Sequence, residues 1–483
     1  MTKKGKKKVA EENSAETATP NVIAATSSSG LRKRKSESSE PLLAEVHADK
    51  RQKRQVSPPA RKCNAQPLPP SSFLSFVFRI DVIGLLLFGS ALRLVLFHSA
   101  GHWLARRPEF ATPLVAIDRL REGILLEQEL GDAYAGDRVH LQPLLIRAAS
   151  LAKSAVAHDK VWLGVLVVLD ALSALFFAAA ARYHAAENAG DFGSVDKLGT
   201  SALKWYLLNP LSIATCASLS VAVVYIHIAA AFTYSFFARR PVPAVLVLAL
   251  WSQLCMYPCI LLAPLLSQLR SHASMVLLAL CYVVATLALV GVNFVLAGQK
   301  WTFADHTYAF TVRVDDLTPN VGIFWYFFTE IFDHFRDFFL FLFQLNLAVY
   351  VIPLVVTLRN APHLCLIVSY VLLTVFVPYP SLADATVFFA LLPFIEDKYK
   401  EHMRFTLVSG CALVACIALM PVTWHMWIVS GSGNANFYFG VTLVYNVALI
   451  QLGIDLVYGF IRKDIEERCP EDVPDKKTIL IFD

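Results

Sequence analysis

Apolar stretches recur along this chain at the length a helix needs to cross a bilayer, and that recurrence restricts the fold more than any motif does. A helix spans the hydrocarbon core with about 20 apolar residues, and fewer suffice where helices break inside a protein-lined cavity. Thirteen stretches qualify, the first near 76–97 and the last near 437–460. Over 483 residues, 56% are apolar and 17% charged, against about 45–50% and about 25% in soluble domains. A soluble enzyme, a coiled coil and a disordered protein are excluded. The expectation is an all-α, polytopic membrane helical bundle of about 12 spans.

Proline interrupts several of these stretches. Asn209-Pro210, Tyr257-Pro258 and Pro378-Tyr379-Pro380 mark expected breaks, because proline lacks a backbone donor and clashes with the preceding turn. Basic residues then assign sides, since Lys and Arg gather in cytosolic turns. Arg239-Arg240, Arg270, Arg359, Lys398-Tyr399-Lys400 with Arg404, and Arg462-Lys463 mark that side. Segments near 98–138, 298–337 and 423–436 then fall in the lumen. Two cytosolic ends require an even number of crossings, so one of the thirteen stretches fails to cross. The weakest is 139–157, with His140, Arg147 and Lys153. The chain therefore divides into a basic tail (1–72), a membrane domain (73–465) and a short cytosolic tail (466–483).

Charge is unevenly placed. Residues 1–72 carry 15 Lys/Arg against 7 Asp/Glu, a net of +8, while the other 411 residues carry 28 against 31, a net of −3. The tail has no hydrophobic period with which to fold. Its basic runs suit holding the N-terminus in the cytosol, with weak contact to anionic headgroups in addition. No nucleic-acid partner is expected.

Polar residues suited to a ligand concentrate in the luminal segments. In the first, Ile117, Leu120 and Ile124 give an amphipathic helix with an acidic face that includes Glu127 and Glu129. In the second, Thr318-Pro319 has the form of a helix N-cap followed by proline, leading into an aromatic helix with Trp325 and Tyr326. Glu330, Asp333 and His334 would share one face of that helix, although no further metal-ligand set accompanies them. In the third, Gly431-Ser432-Gly433 allows a tight turn. Asn434 and Asn436 lie beside it, below Trp424 and His425. Asn436 suits capping the last span, and the pair also suits hydrogen bonding to a sugar-phosphate headgroup. Asp384 falls in a Ser381–Asp384 capping box. Asp170 and Asp455 are acids within apolar spans, which are costly and tend to face a partner or cavity. The sequence carries no Gly-x-Ser-x-Gly, His-Glu-x-x-His or phosphate-loop motif. Neither a catalytic residue, nor a cofactor, nor a metal is expected.

DDLTPNVGIFWYFFTEIFDHF (315–335) and HMWIVSGSGNANFYF (425–439), with YLLNPLSI (206–213) and YPSLADATVFFALLPF (379–394), resemble the PIG-U family, called Gab in yeast. This is the multi-span subunit of the glycosylphosphatidylinositol (GPI) transamidase. The resemblance runs from about 76 to 465. It implies an endoplasmic reticulum membrane protein with a fold like the GT-C glycosyltransferases. It also implies a complex that cleaves the C-terminal signal of a proprotein and joins the new carboxyl end to GPI, with the catalytic Cys and His on a separate caspase-like subunit. The chain would then be non-catalytic and would recognise and position the GPI lipid. On that reading Asn434 and Asn436 meet the headgroup, helped by Trp424 and His425. Asp316, Thr318, Pro319 and Asn320 shape the luminal entrance, and Trp325 sits at the lipid interface. The alternative is an active GT-C glycosyltransferase using a dolichol-phosphate sugar. Its luminal acidic motif has no nearer counterpart than Glu127-Gln128-Glu129, which departs from the pattern.

Overall fold

The computed structural model describes residues 70–188, 192–395 and 397–468. The tail assignments for residues 1–69 and 469–483 lie outside the described residues. Within them the chain is helical, with no strand. Six helices are long and apolar enough to cross a membrane: α1 (Ile80–Leu104), α3 (Asp159–Asn188), α8 (His272–Leu296), α10 (Asp333–Thr357), α13 (Thr406–Trp424, continued by a π-turn to Val429) and α14 (Ala435–Arg468). A 25-residue helix such as α1 rises about 37 Å, enough for the hydrocarbon core. Shorter elements lie between them: α2 (Ile117–Leu130), α4 (Phe192–Leu207), α5 (Pro210–Ala217), α6 (Ala222–Phe237), α7 (Pro241–Cys255), α9 (Phe324–Glu330), α11 (Pro362–Val375) and α12 (Asp384–Leu391).

The breaks fall where the prolines sit. Asn209 ends α4 and opens α5, its side-chain oxygen accepting from the Leu211 N–H at 2.9 Å, with Pro210 first in the new helix. Helix α7 stops at Cys255, where Met256 takes φ 55° before Tyr257-Pro258. Pro378-Tyr379-Pro380 separates α11 from α12. The stretch 139–157 contains two helices of 9 and 5 residues, Pro143–Leu151 and Lys153–Ala157. Neither is long enough to cross. They pack on α2, where Arg121 binds the Val156 carbonyl at 2.9 Å and Arg147 pairs with Glu127 at 2.9 Å.

Small side chains set the closest packing. Ala178, Ala180 and Ala181 of α3 and Ala229 and Ala230 of α6 are fully buried. Such residues let helix backbones approach where lipid offers no competing hydrophobic drive. Polar contacts fix the register. Asp170 in α3 is paired with Arg93 in α1 and accepts from the Tyr206 hydroxyl. Arg93 also donates to Ser212 Oγ at 2.6 Å and to the carbonyls of Gly89 and Leu207 at 2.8 and 2.9 Å. Asp455 caps α13, accepting from the N–H groups of Arg404 and Phe405 at 2.8 and 3.1 Å and from Thr406 Oγ1 at 2.8 Å. The two acids that lacked partners in the sequence are therefore both fully engaged. Asp384 accepts from the Ser381 N–H at 2.7 Å, the half of a capping box that closes the turn before α12.

Candidate functional site

The segment 314–323 is irregular, and α9 begins only at Phe324. Thr318-Pro319 therefore does not open a helix. The reason is local: Asp316 Oδ1 accepts from the Thr318 N–H at 2.8 Å and from its hydroxyl, and Asn320 Oδ1 accepts from the Gly322 N–H at 2.8 Å. Side chains that satisfy nearby N–H groups in this way compete with the helix. Pro319 lies half-buried between those two turns. Asn446 of α14 anchors the segment, donating to the Val321 carbonyl at 2.7 Å. The chain breaks again after Glu330, and α10 opens at Asp333. Glu330, Asp333 and His334 thus belong to two helices and share no helical face. Among the described residues no group of three His, Cys, Asp or Glu is placed to hold a metal.

At the other segment, α13 passes into a π-turn at His425–Val429. The chain then reverses through Gly431, at φ 61°, with the N–H groups of Ser432 and Gly433 on the Met426 carbonyl at 2.9 and 3.0 Å. The cap of α14 is Asn434, not Asn436: its Oδ1 accepts from the Asn436 N–H at 3.1 Å. Asn436 instead accepts from the Tyr326 hydroxyl at 2.5 Å. Both asparagines are exposed. His425 is exposed too, and its imidazole has no hydrogen bond or ring contact among the described residues.

The two segments meet in one aromatic cluster. Trp325 is buried to 3% exposure, so it faces the protein and not lipid. It lies 6.3 Å from both Trp427 and Tyr438 and 5.9 Å from Phe439. Tyr326 stacks on Phe439 at 4.2 Å, and Trp424 packs on Tyr438 at 5.3 Å and Trp427 at 5.6 Å. Beneath them Arg107 lies between Trp103 and Trp424, 5.1 and 5.6 Å from the ring centres, and pairs with Glu109 at 2.7 Å. Arg107 and Tyr438 escaped the sequence reading, since only the fold brings them to this place. The result is a packed aromatic cluster with two exposed asparagines, Asn434 and Asn436, at its edge, a polar rim joined to it through Tyr326.

Asp316 and Thr318 do not join that rim. Asp316 lines a separate recess of about 490 Å³ with Arg119, Asp137, His140 and Asp305. There His140 stacks on Phe310 at 3.4 Å and its Nδ1 donates to the His306 carbonyl at 2.9 Å. Burial lowers the pKa of His140 below the ordinary histidine value, and burial lowers that of Arg119 as well. Tyr308 beside the recess is pushed up to about 12 by burial. The entrance and headgroup residues expected together thus occupy two neighbouring features.

Among the described residues, six helices long and apolar enough to cross a membrane, with several shorter proline-broken ones, define the class: a multi-pass membrane protein. The family model described as GPI transamidase subunit PIG-U matches residues 87–445, and the chain belongs to that family. It is 30% identical over 378 residues to GPI transamidase component GAB1 of Saccharomyces cerevisiae, covering 78% of this chain and 92% of the relative. It is also 30% identical over 406 residues to GPI-anchor transamidase component PIGU of Homo sapiens, covering 77% and 92%. The homologue of GAB1 in Schizosaccharomyces pombe is 29% identical over 419 residues, covering 83% and 98%. These names are those of transamidase components and lend no support to the glycosyltransferase alternative. In the Glu127-Gln128-Glu129 stretch, Glu127 is paired with Arg147 at 2.9 Å.

Proposed function

We propose that the chain works as a membrane subunit of a GPI transamidase and holds the GPI lipid, with the sugar-phosphate headgroup at the rim formed by Asn434 and Asn436. Trp424 and the buried Trp325 shape the floor beneath it, and His425 stands exposed at its edge. Asp316, Thr318, Pro319 and Asn320 shape the adjoining entrance. The single observation that carries this reading is the convergence of 316–328 with 421–446, two segments distant in sequence. A rigid aromatic base below exposed amide groups suits a sugar-phosphate, because it presents directional donors and acceptors without ordering cost at the moment of binding.

Orientation follows from charge. Helices α13 and α14 carry Trp424 and Asn434 at the rim end, and Arg404, Arg462 and Lys463 at the other. By the preference of basic residues for the cytosolic side, the rim faces the lumen of the endoplasmic reticulum and the N-terminal tail the cytosol. Segments 98–138, 298–337 and 423–436 are then luminal, residues 73–465 form the membrane domain, and both tails (1–72 and 466–483) are cytosolic. The family names support assembly with other transamidase subunits. In our reading a caspase-like partner supplies the catalytic Cys and His, and the proprotein signal reaches that subunit while this chain positions the lipid.

The experiment is Asn434→Lys in cells lacking the parent chain. Surface display of a GPI-anchored reporter falls while the other subunits still co-purify. Normal anchoring in that variant would remove the headgroup assignment.

A further inference from the structure

We propose a second lipid site, at the opposite end of α13 from the rim: a cleft that seats an anionic phospholipid, with Lys204 as the cation for its phosphate. The cleft, about 1130 Å³, lies between α4–α5 on one side and the end of α12 with the first turns of α13 on the other. Its walls are mostly apolar, among them Leu198, Leu208, Leu413, Val414 and Ile417. The proposal goes beyond the headgroup reading, which concerns the other end of the same helix.

Lys204 is the anomaly in this cleft. It is exposed, and its neighbours Trp205 and Leu208 are 50% and 38% exposed apolar residues. Eight residues earlier on α4, Asp196 takes Arg79 and Arg182, each at 3.0 Å, marking the charged interfacial layer. Eight residues of helix rise about 12 Å, which carries the Lys204 backbone into the hydrocarbon side of that layer. Its ammonium has no carboxylate partner among the described residues. Asp397, the one acid among the described residues that line the cleft, is paired with Lys400 at 2.9 Å.

An ionised group at such a depth is costly unless it reaches water or an anion. The lysine stem can lie along apolar surface while its head reaches toward the interface. A lipid phosphate belongs at that level, and its acyl chains match the apolar walls. A partner helix would have to bring a carboxylate of its own into the hydrocarbon, a second desolvated charge, so the charge pattern favours lipid over protein as the occupant.

The test uses the intact complex, reconstituted in nanodiscs of phosphatidylcholine with phosphatidylserine as the minor lipid, then released and weighed by native mass spectrometry. The parent and Lys204→Arg retain one phosphatidylserine, and Lys204→Gln retains roughly tenfold less, the scale of a lost charge-assisted contact. Leu413→Trp, which narrows the cleft and leaves Lys204 in place, also lowers retention. Asn434→Lys leaves retention unchanged, which separates this site from the headgroup reading. Equal retention by the parent and Lys204→Gln overturns the proposal. So does loss of the lipid in Asn434→Lys, or a photo-crosslink from position 414 to another protein subunit in place of lipid.

Discussion

The Tyr326 hydroxyl donates to Asn436 Oδ1 at 2.5 Å, joining residues 110 positions apart. That bond holds the second asparagine of the rim against the aromatic cluster, with the residue still exposed. Tyr326→Phe keeps the ring stacked on Phe439 and removes only the donor. A net loss of about 1 kcal/mol is expected from one such bond, small enough for assembly to persist. Reporter anchoring then falls partway in the variant, measured beside co-purification of the other subunits.

Arg93 and Asp170 form a buried ion pair between α1 and α3, each side chain 1% exposed. Removing one partner strands the other charge, at about 3–5 kcal/mol for a buried pair. Asp170→Asn therefore lowers the yield and melting temperature of the complex sharply. Arg93→Gln combined with Asp170→Asn recovers part of that loss, because neither charge remains. Thermal melts of the two variants side by side decide the matter.

Gly322 sits against Pro380. A Cβ at this position would lie 2.7 Å from Pro380 Cδ and Cγ and 2.9 Å from Asn320 Oδ1. The proline ring is rigid, so the 316–323 segment must shift. Gly322→Ala is expected to destabilise by roughly 1–3 kcal/mol, the range for overpacking. Limited proteolysis shows it as new cleavage within 314–323, while Gly440→Ala, which meets nothing within 4 Å, stays protected.

Much of this architecture was legible because bilayer length and proline chemistry act locally. The breaks at Asn209, Tyr257 and Pro378 and the amphipathic α2 could all be read from neighbouring residues. What escaped depends on contacts across the fold. Asp170 looked unpartnered because Arg93 lies 77 positions away, and Asp455 looked so because the N–H groups it caps start another helix. Thr318-Pro319 has the form of a helix start, yet Asp316 and Asn320 claim the local donors first. The rim segments were each recognisable, but their meeting through Trp325, Trp427 and Tyr438 was not. Asn434 and Asn436 differ by one residue between them, and only the backbone geometry decides which is the cap.

The central claim, that the rim meets the GPI headgroup, is tested most directly by photo-crosslinking in the assembled complex. Benzoylphenylalanine replaces Phe437, which is 56% exposed one turn into α14, or Leu407, 79% exposed at the far end of α13. With a radiolabelled GPI precursor, the account predicts a crosslink from position 437 and none from 407. An assembled, active complex that labels GPI from 407, or gives no label from 437, contradicts it.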